Sequence, residues 1–152
     1  MSKKVVFVCT GNTCRSPMAE ALARSMLHPT EDSIIFSSAG TSALPHMPAS
    51  RNAISVMQME GIDITGHTSQ MLTGEMIANA DLLLAMTDTH ANIIKLFSPT
   101  ANVETLGAFA GADEDVLDPF GGDLDEYRAC AEQIKTLIIK SIVKIRGITD
   151  EH

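Results

Sequence analysis

The sequence predicts an α/β fold: a four-stranded parallel sheet with helices on both faces, a three-layer sandwich in a single domain over residues 1–152. Strand-like apolar runs alternate with helix-like segments along the chain, which is typical of parallel α/β proteins. The length of 152 residues suits one domain, and a hydrophobic content of 45% is enough for a core. In addition, a short polar loop joins the first apolar run to a helix start, where such folds bind ligands.

Local signals define the elements in order. Lys4–Val8 is an apolar run of the kind found in buried strands, and Ser16 and Pro17 fit the N-cap and first position of the following helix. Gly61 is expected to end a helix as its C-cap, and Asp123 begins the last helix with a capping-box-like pattern. These signals predict strands at Lys4–Val8, Ser33–Ser38, Asp81–Ala85 and Val103–Leu106, and helices at Pro17–Leu27, Ala49–Glu60, Gly74–Ala78, Asp88–Leu96 and Asp123 to about Arg146.

The segment between the first predicted strand and helix has the composition of an anion-binding loop. If it curls, its backbone N–H groups converge on one concave site. The positive end of the following helix acts on the same point, so a tetrahedral oxyanion is the expected occupant. Gly11 is expected to supply the backbone freedom that the curl requires. The sequence therefore predicts a phosphate-binding loop after the first strand, formed by Thr10, Gly11, Asn12, Thr13, Cys14, Arg15 and Ser16.

Cys9 and Arg15 bracket this loop, and their chemistry fits attack on phosphorus. Converging N–H groups and a guanidinium favour the thiolate form of Cys9, which is the nucleophilic form. Arg15 can hold two equatorial oxygens in a forked contact that is tightest when phosphorus is trigonal. Ser16 can donate its hydroxyl to the sulfur and help it leave. An arginine at a helix N-terminus faces an unfavourable dipole, so its presence there indicates a compensating anion.

A leaving group needs a proton donor, and the candidate is Asp118 in the segment 116–122. Pro119 stiffens this segment and biases Asp118 towards an extended backbone, which can project the carboxyl over the mouth of the loop. Asp118 would protonate the departing atom and then deprotonate the water that cleaves phosphocysteine. The acidic run that ends at Asp118 is either a solvated surface or a feature that favours cationic peptides, and the sequence leaves both open.

These features resemble the low-molecular-weight protein tyrosine phosphatase family. The resemblance rests on Cys-x5-Arg-Ser at 9–16, Gly-Asn at 11–12 and Asp-Pro at 118–119. Ser-Ser-Ala-Gly at 37–40 and Gly-His at 66–67 also look like family landmarks, so the resemblance covers nearly the whole chain. A Cys-x5-Arg motif is weak alone, but the strand before it, Ser-Pro after it and the distal Asp-Pro together make it specific.

The resemblance implies roles for individual residues. It implies that Cys9 is the nucleophile, that Arg15 binds the transition state and that Asp118 is the general acid and base. It also implies that Asn12 and Ser38 hold the loop in shape by hydrogen bonds. No metal and no organic cofactor is expected.

Within this family, the sequence most resembles the bacterial protein arginine phosphatase branch. Thr13 stands where typical tyrosine-specific members have an aliphatic residue, and Phe120 follows Asp-Pro where many of them have a tyrosine pair. Thr13 gives a smaller, partly polar wall that suits a planar guanidino group, on which Phe120 is expected to pack. Tyrosine-specific members often have an aromatic residue in the opposite wall, residues 42–48. This chain has no phenylalanine, tyrosine or tryptophan there, which agrees with the arginine phosphatase branch. The resemblance implies a protein phosphatase that hydrolyses phosphoarginine through phosphocysteine; the alternative is a phosphotyrosine-specific member.

Composition and charge limit the classes of partner that the protein is expected to have. A net charge of −8 argues against nucleic acid, because an acidic surface repels a phosphate backbone. The longest apolar run is far shorter than a membrane span, and no secretory signal precedes Val5, so no membrane association is expected. Three cysteines without framework spacing suit a reducing cytoplasm. We therefore expect a cytoplasmic monomer that acts on phosphorylated protein substrates.

Cys14 has two interpretations, whereas each histidine discussed has one. Cys14 is either a small packing residue or a redox partner of Cys9, since a Cys9–Cys14 disulfide would silence the enzyme reversibly and prevent overoxidation. The five histidines lack metal-ligand spacing. His67 is predicted to support the loop, whereas His46 and His90 are predicted to lie on the surface.

Two other function classes fit the sequence less well. An arsenate reductase on this scaffold needs a cysteine relay beyond the loop, but residues 80–95 contain no cysteine and Cys130 lies on a predicted packed helix. A phosphate-binding module without turnover would lack the nucleophile or the acid, and both are present here. Hydrolysis is therefore the predicted reaction.

Overall fold

The computed structural model describes residues 2–27 and 33–150, and it confirms the predicted α/β architecture. All strand pairs are parallel, and the strand order is β2-β1-β3-β4. The strands are β1 (Lys3–Cys9), β2 (Ile34–Gly40), β3 (Leu82–Ala85) and β4 (Val103–Thr105), and the helices are α1 (Arg15–Met26), α2 (Arg51–Met59), α3 (Gly74–Asn79), α4 (Asp88–Phe97), α5 (Leu106–Phe109) and α6 (Leu124–Asp150). Because β1 is central, the loop after it lies in the middle of the carboxyl edge of the sheet.

Strand β1 supplies side chains to two cores, one on each face of the sheet. Val5, Phe7 and Cys9 belong to the larger core, together with residues of α1, α2, α5 and α6. Val6 and Val8 belong to the smaller core, with residues of α3 and α4. Successive side chains of a strand point to opposite faces, so a strand covered on both sides must be apolar throughout. The same alternation places the Cys9 side chain on the α1 and α6 side.

Helix α6 is the longest element and covers much of the larger core. Its buried side chains include Ile134, Leu137 and Ile138, all fully inaccessible to solvent. Each stabilises the fold by roughly 1.5–3 kcal/mol through removal of apolar surface from water. The helix runs to Asp150, beyond the predicted end near Arg146. Within the described residues, no helix is both long enough and apolar enough to cross a membrane.

The prediction of one strand over Val103–Leu106 was wrong at its end. Strand β4 stops at Thr105, and the short helix α5 follows at once. The Thr105 hydroxyl accepts the Ala108 backbone N–H at 3.0 Å and so caps this helix. Four residues, Val-Glu-Thr-Leu, are too few for periodicity to show where a strand ends and a helical turn begins, which explains the missed element.

We predict that Gly40→Ala destabilises the protein by about 1–3 kcal/mol, because the added methyl group has no room. Gly40 pairs with Cys9 at the end of β2, and a Cβ atom there would press against the Thr10 carbonyl oxygen and lie 3.1 Å from the Asn12 nitrogen. Urea unfolding measures the effect. Gly66→Ala is the matched control, since a Cβ atom at Gly66 meets nothing within 4 Å. Equal stability of the two variants would contradict the prediction.

Candidate active site

The loop between β1 and α1 is held from outside by its carbonyl groups. The Thr10 carbonyl accepts the Ser42 N–H at 3.0 Å, and the Thr13 carbonyl accepts the Ser50 N–H at 2.9 Å. The Asn12 carbonyl accepts a hydrogen bond from Nε2 of His67 at 2.7 Å, which confirms the supporting role predicted for His67. In a trans peptide the N–H points opposite to the C=O, so the N–H groups that follow these carbonyls face the inside of the loop.

Asn12, and not Gly11, has the left-handed backbone conformation in the loop. Its φ angle is 58°, whereas Gly11 is not among the described glycines with positive φ. The expectation that Gly11 supplies the necessary freedom was therefore wrong. Asparagine is one of the few residues that tolerate this conformation. Hydrogen bonds of the buried Asn12 side chain also offset the cost of this backbone conformation, since its Oδ1 accepts the Gln70 backbone N–H at 2.9 Å.

A directed chain of hydrogen bonds links this amide to the Cys9 sulfur. Because Oδ1 of Asn12 accepts, its Nδ2 is the donor, to Ser38 at 3.0 Å and to Ser16 at 2.9 Å. The Ser38 hydroxyl in turn donates to Glu20 at 2.7 Å. Ser16 uses a lone pair on Asn12, so its proton is free for the Cys9 sulfur at 2.9 Å. These are the contacts implied by the resemblance for Asn12 and Ser38, with Glu20 and Gln70 as partners that sequence analysis missed.

Helix α1 begins at Arg15 and not at Pro17, and Ser16 is not its N-cap. Cys14 occupies the N-cap position and makes no side-chain capping hydrogen bond. The Ser16 hydroxyl does not cap the helix, because it is engaged by Cys9 and Asn12. The first turn of α1 therefore has no side-chain cap, and its N–H groups remain available to an anion.

Arg15 lies at this helix start and is almost completely buried, with 4% of its surface exposed. Its Nη1 donates to the Val116 carbonyl at 2.9 Å, and its Nη2 lies 3.5 Å from Thr10 Oγ1 and 3.7 Å from Asp118 Oδ2. Among the described residues, Nε of Arg15 is the one buried side-chain nitrogen or oxygen without a hydrogen-bond partner. A buried donor without a partner lowers the stability of the fold. We therefore expect Nε of Arg15 to bind an acceptor atom of a ligand.

Asp118 lies beside the same guanidinium but is far more accessible, with 51% of its side chain exposed. Its Oδ1 accepts the Phe120 backbone N–H at 3.0 Å, a local turn around Pro119 that orients the carboxyl. The segment is anchored to the sheet edge because the Val116 N–H donates to the Met86 carbonyl at 2.9 Å. An ion pair this exposed is weak, so Asp118 can exchange Arg15 for another partner.

The predicted site residues meet at one cavity of about 230 Å³. Asn12 and Ser16 lie behind its wall, where both are fully buried. A larger cleft of about 640 Å³ is lined by Glu20, His67 and Gln70 among others, and no cysteine is among its lining residues. The smaller cavity is therefore the candidate active site, and its lining residues are Cys9, Thr10, Gly11, Thr13, Cys14, Arg15, Asp118 and Phe120.

His90 lies against this site and not on the surface, contrary to the prediction. Only 4% of it is exposed, and its Nε2 and Nδ1 lie 2.8 Å from Thr10 Oγ1 and 2.9 Å from Thr87 Oγ1. Burial and, secondly, the Arg15 charge lower the pKa of His90 to about 4, against a smaller opposing effect of Asp118. A lone histidine in the first turn of a helix has no pattern that reveals this position. His46 is exposed, as predicted.

The three cysteines are free and buried, but their surroundings differ. The Cys14 sulfur lies 3.3 Å from the Tyr127 hydroxyl and 3.5 Å from Ser50 Oγ. Burial, followed by the contact with Cys14, raises the pKa of Tyr127 to about 12, so this hydroxyl keeps its proton. Burial raises the pKa of Cys130 to about 12 as well, which makes it an inert core thiol as predicted.

Comparison with known proteins places the chain in a family. The family model of the low molecular weight phosphotyrosine protein phosphatase matches residues 4–147. A protein-arginine-phosphatase from Bacillus subtilis (strain 168) is 40% identical over 137 residues, which cover 88% of this chain and 91% of that protein. A probable low molecular weight protein-tyrosine-phosphatase, EpsP from Ralstonia nicotianae, is 36% identical over 150 residues, which cover 97% of this chain and 99% of that protein.

Solved structures agree with the sequence comparisons. The YwlE arginine phosphatase from Geobacillus stearothermophilus superposes with a TM-score of 0.89 at 39% identity, over 99% of this chain and 97% of that one. The family match spans almost all of the chain, and the relatives align over nearly their full length. This chain belongs to the low molecular weight phosphotyrosine protein phosphatase family.

Proposed function

We propose that this protein is a cysteine-dependent phosphatase that hydrolyses phosphoarginine in proteins. One observation carries the proposal: Cys9 and Arg15 line the same cavity, and the buried Nε of Arg15 has no hydrogen-bond partner. A phosphoryl group supplies both what the sulfur attacks and what the guanidinium lacks. Residues 1–152 would act as one catalytic domain, as a cytoplasmic monomer on phosphorylated protein substrates.

In the first half of the reaction, the Cys9 sulfur attacks phosphorus in line with the leaving nitrogen. Arg15 and the inward N–H groups of the loop hold the equatorial oxygens, where negative charge accumulates in the transition state. The P–N bond breaks as the S–P bond forms, and Asp118 gives its proton to the departing guanidino nitrogen. The products of this half are an unmodified arginine side chain and phosphocysteine at Cys9.

In the second half, water cleaves the phosphocysteine. Asp118, now a carboxylate, removes a proton from the water as it attacks phosphorus. The S–P bond breaks, and the Ser16 hydroxyl, 2.9 Å from the sulfur, stabilises the departing thiolate. Inorganic phosphate then leaves the cavity, and Asp118 is again protonated for the next substrate.

Two residues of the cavity wall support a preference for arginine. Thr13 lines the cavity with a short side chain, which leaves room for a flat, hydrogen-bonding group. Phe120 is 76% exposed at the rim, free to pack on the face of a guanidino group. The relatives named arginine phosphatases support the same assignment. Phosphotyrosine is the second candidate, because EpsP, a probable tyrosine phosphatase, is nearly as similar to this chain.

We also propose that Cys14 forms a reversible disulfide with Cys9 under oxidation. Both residues line the cavity, and Tyr127 and Ser50 hold the Cys14 sulfur from behind. A peroxide would oxidise the two thiols to the disulfide and be reduced to water, and a dithiol would restore both thiols. Cys130 takes no part, since burial keeps it protonated.

We predict that the wild-type protein hydrolyses a phosphoarginine peptide at least about tenfold more efficiently than a phosphotyrosine peptide of the same flanking sequence. Phosphate release gives kcat/KM for both peptides. Cys9→Ser is expected to abolish turnover of both, whereas the control Cys130→Ala keeps it. A preference for the tyrosine peptide would assign the second candidate function, and turnover by Cys9→Ser would exclude the phosphocysteine route.

We predict that Thr13→Ile shifts the ratio of the two kcat/KM values towards phosphotyrosine by about tenfold. The larger apolar side chain narrows the cavity and removes the Thr13 hydroxyl, which favours a phenyl ring over a guanidino group. Thr13→Ser is the control, because it keeps a small polar side chain. A ratio unchanged in Thr13→Ile would contradict this account of the wall.

We predict that peroxide inactivates the wild-type protein reversibly, with dithiothreitol restoring activity. Peptide mapping is expected to find the Cys9–Cys14 disulfide in the inactive form. Cys14→Ala should instead become irreversibly inactive through sulfinic acid at Cys9, while the control Cys130→Ala behaves like wild type. Sulfinic acid at Cys9 in the wild type, with Cys14 still a thiol, would refute the proposed disulfide.

A further inference from the structure

We propose that His90 is a positioning residue for phosphoryl transfer: its Nε2–H donates to the Thr10 hydroxyl and thereby directs the Thr10 proton into the cavity, towards a phosphoryl oxygen. The inference rests on the proposed phosphatase function and adds a part of the machinery that the sequence motifs do not include. The functional groups come from two separate elements, the loop after β1 and the first turn of α4.

Each ring nitrogen of His90 lies within hydrogen-bond distance of a threonine hydroxyl. Nε2 lies 2.8 Å from Thr10 Oγ1, and Nδ1 lies 2.9 Å from Thr87 Oγ1. Thr87 is the N-cap of α4, so the position of the ring is fixed by the start of that helix. The ring is buried against the site, with no more than a trace of its surface in contact with solvent. Both distances are those of good hydrogen bonds.

The partner at Nδ1 favours one ring tautomer. Thr87 Oγ1 already accepts the backbone N–H of His90 at 3.3 Å as part of the helix cap, and its hydroxyl proton points away from that donor. Nδ1 lies 2.9 Å from this oxygen and can accept that proton. The lowered pKa of His90 keeps the ring neutral at pH 7, with one N–H group only. That proton is then on Nε2, which donates to Thr10.

The hydrogen bonds of the Thr10 hydroxyl then determine where its proton points. A hydroxyl has two lone pairs and one proton. One lone pair receives Nε2–H of His90, and the second faces Nη2 of Arg15 at 3.5 Å. The proton is left for the cavity, which Thr10 lines. In the Nδ1–H tautomer, Nε2 would accept the hydrogen bond of the Thr10 hydroxyl. An anion in the cavity would then lose this hydroxyl as a donor.

The arrangement therefore adds a neutral donor beside the Arg15 guanidinium. Because the hydroxyl is held at both lone pairs, it does not have to reorient as charge moves onto the phosphoryl oxygens, and such preorganised donors act mainly in the transition state. The expected consequence is an effect on kcat larger than that on KM. A His90 that only fills space would have no such effect.

Two substitutions at His90 separate positioning from packing. In His90→Gln the side-chain nitrogen falls at the place of Nε2 and keeps the donor to Thr10. In His90→Asn the side-chain amide reaches only the place of Nδ1 and keeps the contact with Thr87. We expect His90→Asn to lower kcat for p-nitrophenyl phosphate about tenfold, and His90→Gln to restore most of the loss.

Thr10→Val supplies the second half of the test, because it removes the hydroxyl and keeps the shape. We expect the same tenfold loss in kcat, and no further loss when His90→Asn is added to Thr10→Val. The exposed Thr89, next to His90 on α4, gives the control Thr89→Val, which should keep wild-type kinetics. Additive losses in the double variant would overturn the proposal, as would equal losses in His90→Asn and His90→Gln.

A measurement on the unmodified protein covers the case in which a variant fails to fold. Nitrogen NMR of the histidine rings reports which nitrogen carries the proton, with and without inorganic phosphate. We expect the proton on Nε2 of His90 in both states, and a proton on Nδ1 would overturn the proposal. Wild-type protein without any phosphatase activity would instead refute the proposed function, whatever the tautomer.

Discussion

The left-handed backbone of Asn12 is the constraint on which the active site depends. It turns the chain so that the carbonyls of the loop face outward and its N–H groups face inward. Such a conformation is unfavourable for a residue with a side chain, and it persists because the Asn12 amide is bound on both its oxygen and its nitrogen. The same hydrogen bonds orient Ser16 towards the Cys9 sulfur. Loop shape and nucleophile environment therefore have a single structural cause.

The fold supports this loop through close approach of the neighbouring strand. Gly40 ends β2 beside Cys9, and only a residue without Cβ lets the Thr10 carbonyl come so near. The segment after β2 then donates to the loop carbonyls from the other side. The adjacent parallel strand is thus part of the anion site as well as part of the sheet.

The sequence predicted the fold and the residues of the cavity because both have local signatures. Alternation of apolar runs and helices determines a parallel sheet, and the Cys-x5-Arg motif lies at its carboxyl edge. His90 and Glu20 could not be found this way, because nothing local distinguishes them from surface residues of their helices. Contact with Thr10 of the loop places His90 at the site, and contact with Ser38 of β2 places Glu20 there. Gly11 was favoured over Asn12 because glycine is the usual left-handed residue, whereas here side-chain hydrogen bonds decide.

The contrast between Arg15 and Asp118 follows the division of work in the proposed reaction. Arg15 is buried and fixed by the Val116 carbonyl, so its position does not depend on the substrate. Asp118 is half exposed, and its Oδ2 lies as far as 3.7 Å from Nη2 of Arg15. Water screens the attraction between these two groups. A phosphoryl group that binds Nε and Nη2 through two of its oxygens would compete for the contact and leave Asp118 free to serve the leaving group. Binding needs a rigid cation. Asp118, by contrast, gives a proton to the leaving nitrogen and then takes one from water, which needs a carboxyl that can change its neighbour. The burial of each group matches the step assigned to it.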